Sequence, residues 1–203
     1  MKRLCLALMV CLFFVAIGQA ATPELTQEDR ESALKYLEST RQGVVDDTQG
    51  LSANQWNFKP APDRWSVAEV VEHIAAAEDY LEGNVTANVM KAPARKGNDD
   101  VKAIDEMVLK GVPDRSHKAQ APEPLKPTNR FGSPEASLKH FLESRQRTED
   151  FLKSTNDLRA HATDSPLGKQ LDGYEWILFI AAHSDRHTKQ ILEVKADPNF
   201  PKN

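Results

Sequence analysis

Cysteine is almost missing from this 203-residue chain: there are two, Cys5 and Cys11, both within the first 20 residues. The same 20 residues hold 16 apolar side chains and two charges, Lys2 and Arg3. A basic start, an apolar run from Leu4 to Ile17, and the small residues Gly18, Ala20 and Ala21 form the pattern of a secretory signal peptide. Cleavage is expected after Ala20 or after Ala21, leaving residues 21–203 as one exported domain, periplasmic or secreted. That domain has no cysteine, which excludes a disulfide framework, a cysteine nucleophile, thiolate zinc sites and iron–sulfur clusters. A metal would have to be held by histidine and carboxylate.

Three further shortages narrow the function. The apolar run is about 14 residues against the roughly 20 that span a bilayer, so no permanent membrane span is expected. Basic charge is in deficit: the full chain carries −4, and residues 21–203 carry 24 basic and 30 acidic side chains, or −6. Such a balance excludes a general nucleic-acid binder, which needs a basic face to neutralise phosphates. No segment alternates apolar and polar residues for long enough to predict a strand, so the expected fold is all-α.

What is present is helical periodicity in four segments. The first, about Thr26 to Thr48, places Ala33, Leu34, Leu37, Val44 and Val45 near a 3.6-residue spacing, with Thr26 and Asp29 as its start signal and Gly50 as its end. The second runs from Ser66 to about Met90. It opens on the capping box Ser66-Val67-Ala68-Glu69 and lines up Val70, His73, Ile74, Ala77 and Leu81. A loop, Leu51 to Trp65, separates the two. The third opens with Ser133-Pro134-Glu135, which suits a helix cap, first position and first turn, and ends near Asn156. The fourth opens on Asp172 with Glu175, and its face reads Trp176, Ile180, His183, His187, Ile191, Val194. Between the second and third lies a proline-rich connection, Lys91 to Arg130, with room for a short helix at Val101–Leu109. The pattern predicts a four-helix bundle with one long crossover, the second and third helices running parallel.

Six histidines are present, and three of them, His73, His183 and His187, lie on apolar helix faces, where an unpartnered imidazole is costly. His183 and His187 are four apart, so both rings share one helix face. At 1.5 Å per residue, His73 lies about 10 Å into its helix, and antiparallel packing puts the pair about 12 and 18 Å from the same end. Three neutral imidazoles from two helices would make an open metal site of catalytic style, suited to Zn²⁺, Ni²⁺ or Fe²⁺. The same placement would serve three core histidines bonded to backbone or carboxylates. In His183-Ser184-Asp185-Arg186-His187 the residue after the first histidine is serine, so the built-in base of a zincin is missing. Glu69 and Gln190 are candidate supporting groups, and Asp185 and Arg186 are expected in solvent. His117, His140 and His161 are expected at the surface. Trp56, Trp65 and Trp176 read as core or bundle-end packing.

Two blocks resemble a known family. Pro60-Ala61-Pro62-Asp63-Arg64-Trp65-Ser66-Val67-Ala68-Glu69-Val70-Val71-Glu72-His73-Ile74 is the first. The second comprises Leu158-Arg159-Ala160-His161, Pro166-Leu167-Gly168, the run from Glu175 to His183, Arg186-His187 and Gln190-Ile191. Together they resemble the DinB-like superfamily of four-helix-bundle proteins. The resemblance implies a divalent metal on His73, His183 and His187, and, in several relatives, transferase or isomerase chemistry with a low-molecular-weight thiol. Export counts against thiol chemistry, because such thiols are kept reduced in the cytosol. The function expected is therefore a metal-dependent hydrolase acting on a small-molecule substrate, with catalytic groups unassigned. The alternative is a non-catalytic metal- or ligand-binding helical bundle, and with either function the chain could assemble as a homodimer.

Overall fold

The computed structural model describes residues 24–96 and 100–202. The expected export signal lies outside the described residues. Four long helices build the molecule: α1 (Gln27–Thr48), α3 (Val67–Ala87), α5 (Pro134–Ser154) and α6 (Gly173–Lys195). Two shorter ones, α2 (Ala53–Asn57) and α4 (Val101–Gly111), lie in the connections.

The helix starts follow from local chemistry. Thr26, Ser66 and Asp172 each accept from the backbone N–H three residues on, and Asp29, Glu69 and Glu175 return a bond to the cap's own N–H. Each pair satisfies two of the four orphan donors at a helix start. Ser133 caps α5, with Pro134 in the position where a missing N–H costs nothing. Gly50, at φ +72°, takes the left-handed conformation just beyond α1.

Each long helix packs on two others in a square. Tyr174 reaches the Asp29 carbonyl, Tyr36 reaches Asp185, and Lys195 reaches Asp47, so α1 and α6 run parallel. Ser144 bonds Asp79 and Arg147 pairs with Glu82, so α3 and α5 also run parallel, as the long crossover requires. Val67 and Val70 meet Ile191 and Val194 at one end, while Leu81 and Val85 meet Tyr174 and Ile177 at the other, which makes α3 and α6 antiparallel. Leu37, Val70, Ile74, Phe141, Ile177 and Ile180 are buried in the interior. Each contributes about 1.5–3 kcal/mol through the apolar surface it removes from water.

At the bundle's centre sits a fully buried guanidinium. Arg145 of α5 donates to both carboxylate oxygens of Glu78 on α3 (2.7 and 2.9 Å). It also donates to the Leu37 carbonyl and Thr40 hydroxyl of α1 (2.7 and 2.8 Å) and to the Ser184 hydroxyl of α6 (2.9 Å). Five donors meet five acceptors on the other three long helices, so one side chain fixes the relative position of all four.

The sequence reading differs from the fold in three places. A short hairpin, β1 (Ala162–Asp164) and β2 (Gln170–Asp172), pairs antiparallel before α6. Strands of three residues are too brief to show alternation, and their turn is made by Gly168 at φ +72°. Helix α3 ends at Ala87 and passes into a single 3₁₀ turn at Val89–Lys91, short of the expected Met90. The expected loop from Leu51 to Trp65 contains α2, capped by Ser52 and Gln55. The crossover does carry its short helix: α4 buries Ile104 and Val108 and packs on α6, and a 3₁₀ turn at Glu123–Leu125 lies on α3.

Candidate metal centre

The antiparallel packing of α3 on α6 brings His73, His183 and His187 together. His73 Nε2 lies 3.2 Å from His183 Nε2 and 3.1 Å from His187 Nε2. The ligating atoms of all three rings lie within 4.8 Å of one another. His73 and His187 are buried, while His183 is half-buried and marks the side open to solvent.

The tautomers decide what this contact means. His73 Nδ1 donates to the Leu125 carbonyl at 2.8 Å. A carbonyl only accepts, so the ring proton is on Nδ1 and Nε2 carries a bare lone pair. His187 Nδ1 donates to Gln190 Oε1, also at 2.8 Å. Two lone pairs thus point at each other across 3.1 Å, an arrangement that repels unless a cation sits between them. The spacing suits one: at about 2.1 Å per bond, tetrahedral nitrogens lie about 3.4 Å apart and right-angled ones about 3.0 Å. The donor set and its separations fit a divalent metal ion.

Burial keeps the imidazoles in the neutral form that ligation needs. It pushes His73 below the ordinary histidine value, against the raising effect of the Leu125 bond, and Arg130 adds to the depression. Burial and the neighbouring histidines push His183 and His187 well below it. Trp65 lies against His73, with centroids 4.9 Å apart, and over His187 at 6.5 Å. Phe179 stacks on His183 at 6.5 Å. These rings exclude water from two sides of the cluster.

The crossover completes the surroundings. Glu72, the neighbour of His73, accepts from the backbone N–H groups of Thr128, Asn129 and Arg130 at 2.7, 2.9 and 3.0 Å. Those bonds, first after the opposing cost of burial, hold its carboxyl below the usual range. They clamp the segment whose Leu125 carbonyl orients His73. The sequence offered no signal for this, because an acceptor carbonyl belongs to every residue.

Several expected roles change. Glu69 caps Ser66 and pairs with Lys59 at the surface, so it does not support the histidines. Gln190 does. Arg186 does not lie free in solvent: it donates to the carbonyls of Val112, Asp114 and His117 and pins the loop after α4. Asp185 is half-buried and accepts from Tyr36. Ser184 turns inward to Arg145. Trp65 borders the cluster, whereas Trp56 and Trp176 are core residues as expected. His117 is exposed. His140 and His161 are half-buried instead, His140 between Asp79 and the Phe131 ring and His161 on the Ala92 carbonyl.

Comparison with known proteins agrees with this picture. Residues 36–191 match the family model described as the DinB superfamily. An uncharacterized protein, YuaE, of Bacillus subtilis (strain 168) is 27% identical over 164 residues, covering 80% of this chain and 96% of that one. Among solved structures the chain is similar to YfiT from Bacillus subtilis, described as a probable metal-dependent hydrolase with an unusual four-helix bundle topology. The match has a TM-score of 0.54 and 17% identity over 91% of this chain and 97% of that one, a likeness of fold.

Proposed function

The chain belongs to the DinB superfamily, and from that premise we propose that it is a metal-dependent hydrolase of small molecules, with one divalent ion held by His73, His183 and His187. The observation that carries this reading is the meeting of three imidazole nitrogens in which His73 and His187 each commit Nδ1 to an oxygen, leaving Nε2 as a ligand atom. The description of YfiT as a probable metal-dependent hydrolase supports it. A bound ion would polarise the reacting carbonyl or phosphoryl group and lower the pKa of water. Three protein ligands leave coordination room for substrate, and Zn²⁺, Ni²⁺ or Fe²⁺ would each suit imidazole. Trp65 and Phe179 keep the site dry on two flanks, and the half-buried edge at His183 is the approach for substrate. Export, expected from the N-terminal pattern, favours hydrolysis over thiol transfer.

A second reading is a non-catalytic metal-binding bundle. It is favoured by one observation: among the described residues, no carboxylate hydrogen-bonds to any of the three histidines. Elemental analysis of protein purified without an affinity tag should find about one divalent ion per chain. Turnover of a panel of esters, amides and phosphoesters, lost in His73→Ala, supports the hydrolase. Stoichiometric metal with no turnover leaves the binding bundle, and no metal overturns both.

A further inference from the structure

The ligating tautomer of His187 depends on which atom of its neighbour faces the ring. The ring's Nδ1 faces the Gln190 amide at 2.8 Å. An amide can offer either oxygen or NH₂ to an imidazole, and the two choices put the ring proton on opposite nitrogens. With the oxygen presented, Nδ1 is protonated and Nε2 is free to ligate. With the NH₂ presented, Nδ1 must accept, and the proton moves to Nε2, where it blocks the metal. Gln190 alone does not decide between them.

Arg115 does. Its Nη1 donates to the same Gln190 Oε1 at 3.3 Å. A guanidinium has only donors, so it can face the amide oxygen and never the NH₂. Arg115 is itself held in place by Glu193, which takes its Nε and Nη2 at 2.6 and 2.7 Å. It stands just after α4, in the stretch that Arg186 pins by bonds to the carbonyls on both sides of it. We propose that Arg115 is a positioning residue of the metal centre: by claiming Gln190 Oε1 it fixes the amide, and through it the tautomer of His187. This rests on the metal reading above.

The sign of the effect tests it. Arg115 is a cation near His187, so acting only through charge it would repel a dication, and its removal would tighten metal binding. Acting through the amide, its removal weakens binding. We expect Arg115→Ala to lower zinc affinity about 10- to 100-fold, the range of lost outer-shell partners, in titrations of zinc against a chromophoric chelator. Arg115→Lys, which keeps a donor-only group, should recover part of the loss. Gln190→Glu presents oxygen on both sides and needs no orientation, so adding Arg115→Ala to it should cost little more. That non-additivity is what a merely structural role would not produce. Unchanged or tighter zinc binding by Arg115→Ala, or full additivity with Gln190→Glu, overturns the proposal. If the wild-type chain itself takes up no zinc, nickel or iron, the metal reading has failed instead. Circular dichroism of the zinc-free variants, expected to match wild type, separates lost positioning from lost folding.

Discussion

Two polar clusters lie buried in one bundle, and α6 contributes to both. Around Arg145 every donor has an acceptor: five N–H groups meet Glu78, Leu37, Thr40 and Ser184. One or a few residues away on α6, the histidine cluster is the reverse, with acceptor nitrogens facing each other and their donors turned outward to Leu125 and Gln190. The first cluster is complete with protein atoms alone. The second is complete only when something positive enters it. Buried polar groups that satisfy one another hold a fold, and buried groups that share an unmet need mark where a ligand belongs.

The largest test of this contrast is at the satisfied cluster. Arg145→Met leaves the Glu78 carboxylate, 2% exposed as a residue, without its cation. The expected cost is about 3–5 kcal/mol of unfolding free energy, read from urea denaturation, because a buried charge loses its partner. Arg145→Met with Glu78→Leu should cost markedly less than Arg145→Met alone. A cost below about 1 kcal/mol for the single change would place the node among ordinary polar contacts and end the comparison.

The histidine cluster should answer differently. His183→Ala removes one nitrogen of the cluster and leaves the Leu125 and Gln190 bonds of the other two rings in place, so the zinc-free protein should keep its fold and most of its stability. What it loses is response to metal. Wild type in free zinc at 100 times the dissociation constant gains about 2.7 kcal/mol, by binding to the folded state alone. Thermal unfolding with zinc and with a strong chelator should therefore separate for wild type and coincide for His183→Ala. Separate curves in the variant would mean that the metal sits elsewhere.

The two clusters were unequally legible in the sequence. His73, His183 and His187 stand out because they interrupt apolar faces at helical spacing, and helix depth alone brings them level. Arg145 and Glu78 leave no such mark: each falls in a charged stretch of its helix, and only packing shows that they turn inward. The helix starts were readable from Ser66, Ser133 and Asp172, since capping is local chemistry. The role of the crossover was not, because it acts through the Leu125 carbonyl and the backbone N–H groups of Thr128 to Arg130, which carry no residue identity. Gln190 was visible as a neighbour of His187 one turn on. Arg115 was hidden by the 75 residues that separate it from its partner.

The smallest expected effect is in the pH dependence of the zinc-free protein. All three cluster histidines have folded values below the ordinary 6.5, set first by burial. Above pH 6.5 neither folded nor unfolded chain binds these protons, and nothing changes. Below it the unfolded chain takes them up and the folded chain does not, so stability falls as pH falls toward the folded values. At the start of α6 a second buried group works in the opposite direction. Burial, and then the charge of Asp172, push Glu175 up to about 7, despite its bond from Arg95. Between pH 4.5 and 7 the folded chain holds a proton there that the unfolded chain has released, so that contribution is lost as pH rises. The two slopes oppose each other across pH 5–6.5. Glu175→Gln removes one of them and should steepen the acid loss of stability by on the order of 1 kcal/mol between pH 7 and 5. Replacing His183 as well should flatten it again. Unfolding midpoints across that range, measured in chelator, decide the matter: an acid slope unchanged by His183→Ala would mean that His183 takes up its proton as readily in the folded chain as in the unfolded one, and that burial does not hold it neutral.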